Sequence, residues 1–302
     1  MGWLSVAILS AGIQGIVNII DSHLLSRRMP SLAALLFPVA IIHIIYGLVV
    51  FAIFPFPEDL SVEQLGIAVG SGILRGGAVT VMLYTMTREE VSQVIPVVYT
   101  YPIFVGIMAV IILGEQLLWL HWLAIVIMVA GAILVSLKRT QTGTGLRLGK
   151  SFYLLLVSSL LMAGADVASK YALSYISFWN MFSLSAFCMS SLFLLVSLPA
   201  NVFKELKGME RPGSAMALLA LNEALAPIGI LLAFRAIQEG PVSLVSTIIG
   251  SRPIFVFIYA LALTRIRPDF LEWYPTRATL VLRLTGTVMI VGGIAIIQQL
   301  AI

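Results

Sequence analysis

Residues 91–105 read VSQVIPVVYTYPIFV, and 151 positions later residues 242–256 read VSLVSTIIGSRPIFV. Val91-Ser92 falls on Val242-Ser243, Val94 on Val245, and Pro102-Ile103-Phe104-Val105 on Pro253-Ile254-Phe255-Val256, without a gap. Weaker echoes follow past a longer loop, where Met128 and Gly131 fall on Met289 and Gly292, and near the starts, where Gly15 and Leu24 fall on Gly164 and Leu173. The second half of the chain therefore reads as a copy of the first, with residues 1–140 and 150–302 as the two units.

Both quoted stretches lie in long apolar runs. Of 302 residues, 60% are hydrophobic and 11% charged, too few polar groups to cover a soluble fold, so lipid is the solvent. A span needs about 20 apolar residues, because the hydrocarbon core is ~30 Å thick and a helix rises ~1.5 Å per residue. Ten such runs can be counted, at 3–22, 31–54, 64–86, 91–113, 119–137, 152–172, 179–199, 215–237, 242–264 and 279–301. The expected fold is an all-α membrane protein whose ten helices form two five-helix repeats. An odd number of spans per unit turns the second copy upside down, and an inverted pair has two near-equivalent packings, one open to each side of the membrane. The longest linkers, 138–151 and 200–214, are too short for a soluble domain, so any function sits within or between the spans and most soluble enzyme classes are excluded.

The formal charge of +4 comes from basic residues in short loops rather than from a patch with interleaved aromatics, so no nucleic-acid partner is expected. Thirteen of the eighteen basic residues follow odd-numbered spans, and only Arg235, at a span edge, lies on the opposite side. The positive-inside rule puts the odd-span loops in the cytoplasm and both termini outside. Cys188, the sole cysteine, falls mid-span and leaves no internal disulfide or cysteine-cluster metal site. The first span has no basic leader and carries Gln14, Asn18 and Asp21, so it reads as a retained helix rather than a cleaved signal peptide. No Gly-x-x-x-x-Gly-Lys-Ser/Thr run is present, so no nucleotide or other cofactor is expected and energy would come from a gradient.

The ten-span plan, the proline-centred fourth and ninth spans, the Leu113-Gly114-Glu115 close of the fourth span, and the first span from Gly2-Trp3-Leu4 to Asn18-Ile19-Ile20-Asp21 resemble the drug/metabolite transporter superfamily, in particular its EamA-type exporters. The resemblance covers nearly the whole chain and implies a cell-membrane transporter of small organic solutes. Two features depart from it: Arg265 stands where the first half has Gly114, and termini in that superfamily are usually taken as cytoplasmic, against the loop charge here.

A charge near the bilayer centre is costly, so each one within a span needs a partner, a wet cavity or a task. Arg75 lies mid-span among Gly66, Gly70, Gly72, Gly76 and Gly77, as an anion contact or as the partner of Glu223 on the equivalent eighth span. Glu223 has Asn222 beside it and Pro227 one turn on. Arg252 precedes Pro253 where the repeat has Tyr101 before Pro102; prolines at these positions, with Pro96 and Pro227, kink helices and free carbonyls, which is tolerated against protein or a water-lined cavity. Tyr99 and Tyr101 are candidates to stack on a solute or simply to pack. Gln14, Asn18 and Asp21 share one helical face, and Ser159, Met162, Asp166 and Lys170 form a stripe on the sixth span, so both helices are expected to border a central cavity. Asp166 and Lys170, four apart, are placed to satisfy each other. His43 is the only histidine at depth. With Glu223, Asp166 and Asp21 it completes the candidates for proton coupling. Glu115 reads as a solvated acid after a helix stop, and Arg283 as a residue that snorkels to the interface.

The substrate set is thus Arg75, Glu223, Arg252, Tyr101, Tyr99, Asn18 and Gln14, with no metal and no catalytic residue expected. The leading reading is a secondary exporter or exchanger of a small organic solute across a lipid bilayer, with the deep arginines favouring an anion. A flippase for a lipid-linked headgroup is the alternative. An intramembrane enzyme is disfavoured, because no HExxH or paired-aspartate motif lies at depth.

Overall fold

The computed structural model describes residues 2–88, 94, 97–136, 150–198, 201–209, 212–266 and 277–300, and every regular element among them is helical. In chain order these are α1 (Trp3–His23), which runs on into a π-helical turn at Leu24–Arg28, α2 (Leu32–Ile53), α3 (Val62–Met86), α4 (Tyr101–Leu113), α5 (Trp119–Ser136), α6 (Lys150–Ala172), α7 (Phe178–Ser197), α8 (Val202–Lys207), α9 (Pro212–Glu239), α10 (Val242–Ile249), α11 (Arg252–Ile266) and α12 (Arg277–Leu300). Among the described residues nine stretches are long and apolar enough to cross a membrane, counting α10 with α11, and α4 is a shorter apolar helix.

Local chemistry sets the ends. The Ser31 hydroxyl accepts from the Ala34 amide at 3.1 Å to start α2. Ser61 with Gln64 and Ser177 with Asn180 form capping boxes at α3 and α7. Gly114, at φ 68°, closes α4 in the left-handed conformation, and the Glu115 amide reaches back to the Ala109 carbonyl at 3.2 Å. The linker expected over 200–214 is not wholly irregular: it contains α8, held by buried Val202, by a hydrogen bond from Ser31 to Glu205, and by Phe203 set edge-on to Phe37.

The main helix pairings all join the two halves of the chain. α3 packs along α6, α5 along α12, α2 along α7 and α1 along α9. Small residues permit this closeness: a Cβ on Gly131 would sit 2.7 Å from the Gly286 carbonyl oxygen, so α5 and α12 cross backbone to backbone there. The outer faces stay apolar, with Ile111 75% and Val288 71% exposed, as lipid contact requires.

Candidate functional site

The fourth and ninth spans, where kinks are expected at Pro102 and Pro253, are each interrupted by a turn just before the proline. In the fourth, the turn Tyr99–Thr100 precedes α4; in the ninth, the turn Gly250–Ser251 separates α10 from α11. The two breaks have the same hydrogen bonds at the repeat spacing. Thr100 donates its amide to the Val97 carbonyl and Ile103 to Thr100, both at 3.1 Å; Ser251 donates to Ile248 and Ile254 to Ser251, both at 3.0 Å. Pro102 and Pro253 lack the amide that would bond the carbonyl four residues back, so a tighter turn forms instead. The breaks abut: a Cβ on Gly250 would lie 3.1 Å from Pro102 Cγ, and the Tyr101 hydroxyl donates to the Ser246 carbonyl at 2.9 Å. Pro96, the remaining expected kink, lies outside the described residues.

Polar groups gather at this crossing. Asn18 Nδ2 donates to the buried Tyr99 hydroxyl at 3.3 Å, bringing α1 to the fourth-span break. Arg252 lies close enough for its charge to act on the hydroxyls of both Tyr99 and Tyr101. Gln14, on the same face of α1, is used differently: it bonds Ser10 at 2.8 Å, and both Gln14 and Ser10 donate to the Gly229 carbonyl of α9.

The charge pairing differs from the expected one. Arg75 does not meet Glu223. Its Nη2 donates to Asp166 Oδ1 at 2.8 Å and to Ser169 Oγ at 3.3 Å, and the guanidinium lies over the Phe234 ring at 4.9 Å. The reason is packing: α3 lies along α6, whereas α9, which carries Glu223, lies along α1. Nor does Asp166 meet Lys170. Its second oxygen accepts from Ser246 Oγ at 2.6 Å, and Lys170 donates to the carbonyls of Ile237, Gln238 and Gly240 at 2.8, 3.2 and 2.8 Å, capping the end of α9.

Glu223 pairs with His43, whose Nε2 lies 3.0 Å from Glu223 Oε2, both side chains being buried. The Glu223 backbone carbonyl is four residues before Pro227 and so loses its helical donor; the Tyr46 hydroxyl supplies one at 2.9 Å. α2 thus holds α9 beside Pro227 through two side chains. One residue away, Asn222 Nδ2 donates to Asp21 Oδ1 at 2.7 Å, so Asp21 is tied to α9 rather than left in solvent. His43, Phe182, Ser185, Ala186, Met189, Pro227 and Ile230 line a narrow cleft between α2, α7 and α9. Neither Arg75 nor Arg252 lines it. Among the described residues no three His, Cys, Asp or Glu side chains gather to hold a metal ion.

At the end bearing the loops after even-numbered spans, helix ends are tied across the molecule. Glu115 is not a free acid: its carboxylate accepts from the Val242 amide at 2.6 Å, the Ser243 amide at 3.3 Å and Ser243 Oγ at 2.5 Å, capping α10 from another span. Asn180 Nδ2 donates to the Phe54 and Pro55 carbonyls at the end of α2, at 2.6 and 3.2 Å. Arg283 does not snorkel outward; it is 8% exposed, with its guanidinium 5.6 Å from the centre of the Phe257 ring. Sequence reasoning missed Ser246, Ser251 and Tyr46 as site groups. Tyr46 could have been found from Pro227, since a proline four residues on announces that the Glu223 carbonyl needs an outside donor.

The family model described as the EamA-like transporter family matches residues 1–137 and 149–297. Among solved structures, one crystal structure of a protein superposes with a TM-score of 0.71 at 16% identity, over 99% of this chain and 96% of that one, a likeness of fold. No curated protein sequence matches the chain. With nine membrane-length stretches among its described residues and almost its whole length covered by that model, the chain is an integral membrane protein that belongs to the EamA-like transporter family.

Proposed function

We propose that the protein is a secondary carrier, an exporter or exchanger of a small organic solute, in which two inverted halves give access alternately to the two sides of a site at the crossing of the fourth and ninth spans. The observation that carries this reading is the pair of matched helix breaks at Tyr99–Pro102 and Gly250–Pro253, touching each other at membrane depth. Irregular backbone at that depth is tolerated where it is buried in protein or lines a cavity, and broken helices of this kind house the sites of carriers. The helix pairings support the inversion. Exchanging each span with the one five places on leaves the α2 with α7 and α5 with α12 pairings unchanged and converts α3 with α6 into α9 with α1.

Coupling is assigned to Glu223 with His43, beside the cleft, and Asp21 adjoins them through Asn222. Asp166, held by Arg75 and Ser246, is assigned to structure. On the loop-charge reading the end tied by Glu115, Lys170 and Asn180 faces outward, and these ties would belong to a conformation shut on that face. The test is gradient-driven uptake into proteoliposomes, with panels of organic acids, amines and amino acids. Accumulation of one class, abolished when an ionophore collapses the gradient, is the expected result; no flux of any class would overturn the proposal.

A further inference from the structure

Four basic side chains lie within the spans, and the structure disposes of them unequally. Arg75 is neutralised by Asp166, Lys170 is consumed by three carbonyls, and Arg283 lies against the Phe257 ring. Arg252 makes no hydrogen bond or ion pair among the described residues, and its Nε is buried without a partner. It opens α11, a half-helix of 15 residues starting at membrane depth, where the N-terminal partial positive charge adds to that of the guanidinium. The residue immediately before it, Ser251, is 1% exposed, and its hydroxyl also lacks a partner. A cation, a helix N-terminus and an unused hydroxyl therefore converge on the ninth-span break. The Tyr99 hydroxyl, which accepts from the Asn18 amide, lies within range of the Arg252 charge.

Resting on the carrier reading above, we propose that the transported solute is a small organic anion whose carboxylate or phosphate group seats on Arg252 and the Ser251 hydroxyl, with Tyr99 and Asn18 bordering the same group. Guanidinium, hydroxyl and amide groups all donate, and a guanidinium binds a planar carboxylate or a tetrahedral phosphate bidentately. An unpaired arginine at this depth is costly, and the anion removes that cost on arrival. The solute thereby enters neutralised, which also explains why Arg75, already paired, is not a second anion seat.

The test uses the full-length protein purified in detergent at fixed ionic strength. Thermal unfolding is followed with benzoate or phenyl phosphate and with benzamide and benzylamine, the neutral and cationic counterparts on the same ring. The expected result is stabilisation by at least one anion and by neither counterpart. R252Q should weaken the apparent affinity roughly tenfold to hundredfold, the loss expected when a hydrogen-bonded charge is removed. R252K, which keeps the charge, should retain part of it, so a folding defect in R252Q alone does not decide the matter. Equal stabilisation of wild type and both variants, or no stabilisation of the wild type by either anion, overturns the proposal. Stabilisation by dioleoyl phosphatidylglycerol but by neither soluble anion overturns it as well, and assigns the seat to a lipid headgroup. Proteoliposome flux separates the two readings: Arg252-independent transport of amines leaves the carrier standing and removes the anion, whereas Arg252-dependent anion binding without flux of any solute removes the carrier and keeps the site.

Discussion

Removing the Asp166 carboxylate would strand Arg75 in the membrane with its main acceptor gone. Breaking one side of such a pair costs about 3–5 kcal/mol, because the remaining charge stays buried, whereas replacing both partners by apolar residues of similar size is far cheaper. D166L should therefore lower the thermal unfolding midpoint sharply, and R75L/D166L should recover much of the loss; a double variant as unstable as the single one would show that the network does more than neutralise. Tyr46 offers a second case. Y46F leaves the Glu223 carbonyl, four residues before Pro227, unpaired, at a cost of about 1–3 kcal/mol, checked by the same unfolding measurement. The Glu223 side chain has a separate expected effect. E223Q should abolish solute accumulation driven by a pH gradient in proteoliposomes while solute-for-solute exchange persists; accumulation at the wild-type level would confine Glu223 to holding α2 against α9.

Helix breaks, rather than helix lengths, set the two quoted stretches apart. Pro253→Ala restores an amide and lets α10 and α11 approach one continuous helix, so flux should fall far more than stability; unchanged flux would detach the ninth-span break from transport. Gly131→Leu, by contrast, drives a side chain into the Gly286 backbone and should prevent α5 and α12 from packing, seen as loss of folded protein on size-exclusion chromatography. Much of this level was legible in the sequence. The apolar runs marked the spans, and the gapless match of 91–105 to 242–256 marked the two places where helices fail together. Partnership across helices was not legible. Equivalence of spans in the sequence suggests Arg75 with Glu223, but spans that correspond in a repeat need not touch, and α3 meets α6 instead. Glu115 was read as a solvated acid because the amides of Val242 and Ser243 that it caps are more than a hundred residues away. Lys170 faced the same limit, since its acceptors are backbone carbonyls, which leave no mark in a sequence.

Taken as a whole, the molecule has its strongest pairings between its halves, so a rocking motion of one half against the other would act on all of them together. Glu115, Lys170 and Asn180 tie helix ends together at one end of the molecule, and the proposed alternation would require these ties to release when the other end shuts. The decisive measurement is pulsed electron spin resonance on the reconstituted protein in a C188S background. One spin-label pair is placed at Ser26 and Ser214, at the ends of α1 and α9, and another at Asp59 and Glu239 on the opposite end. Reciprocal change on adding a transported solute is the expected result, with one distance lengthening as the other shortens. Distances that stay fixed, or that change in the same sense at both ends, would contradict the alternation of two halves about the crossed breaks.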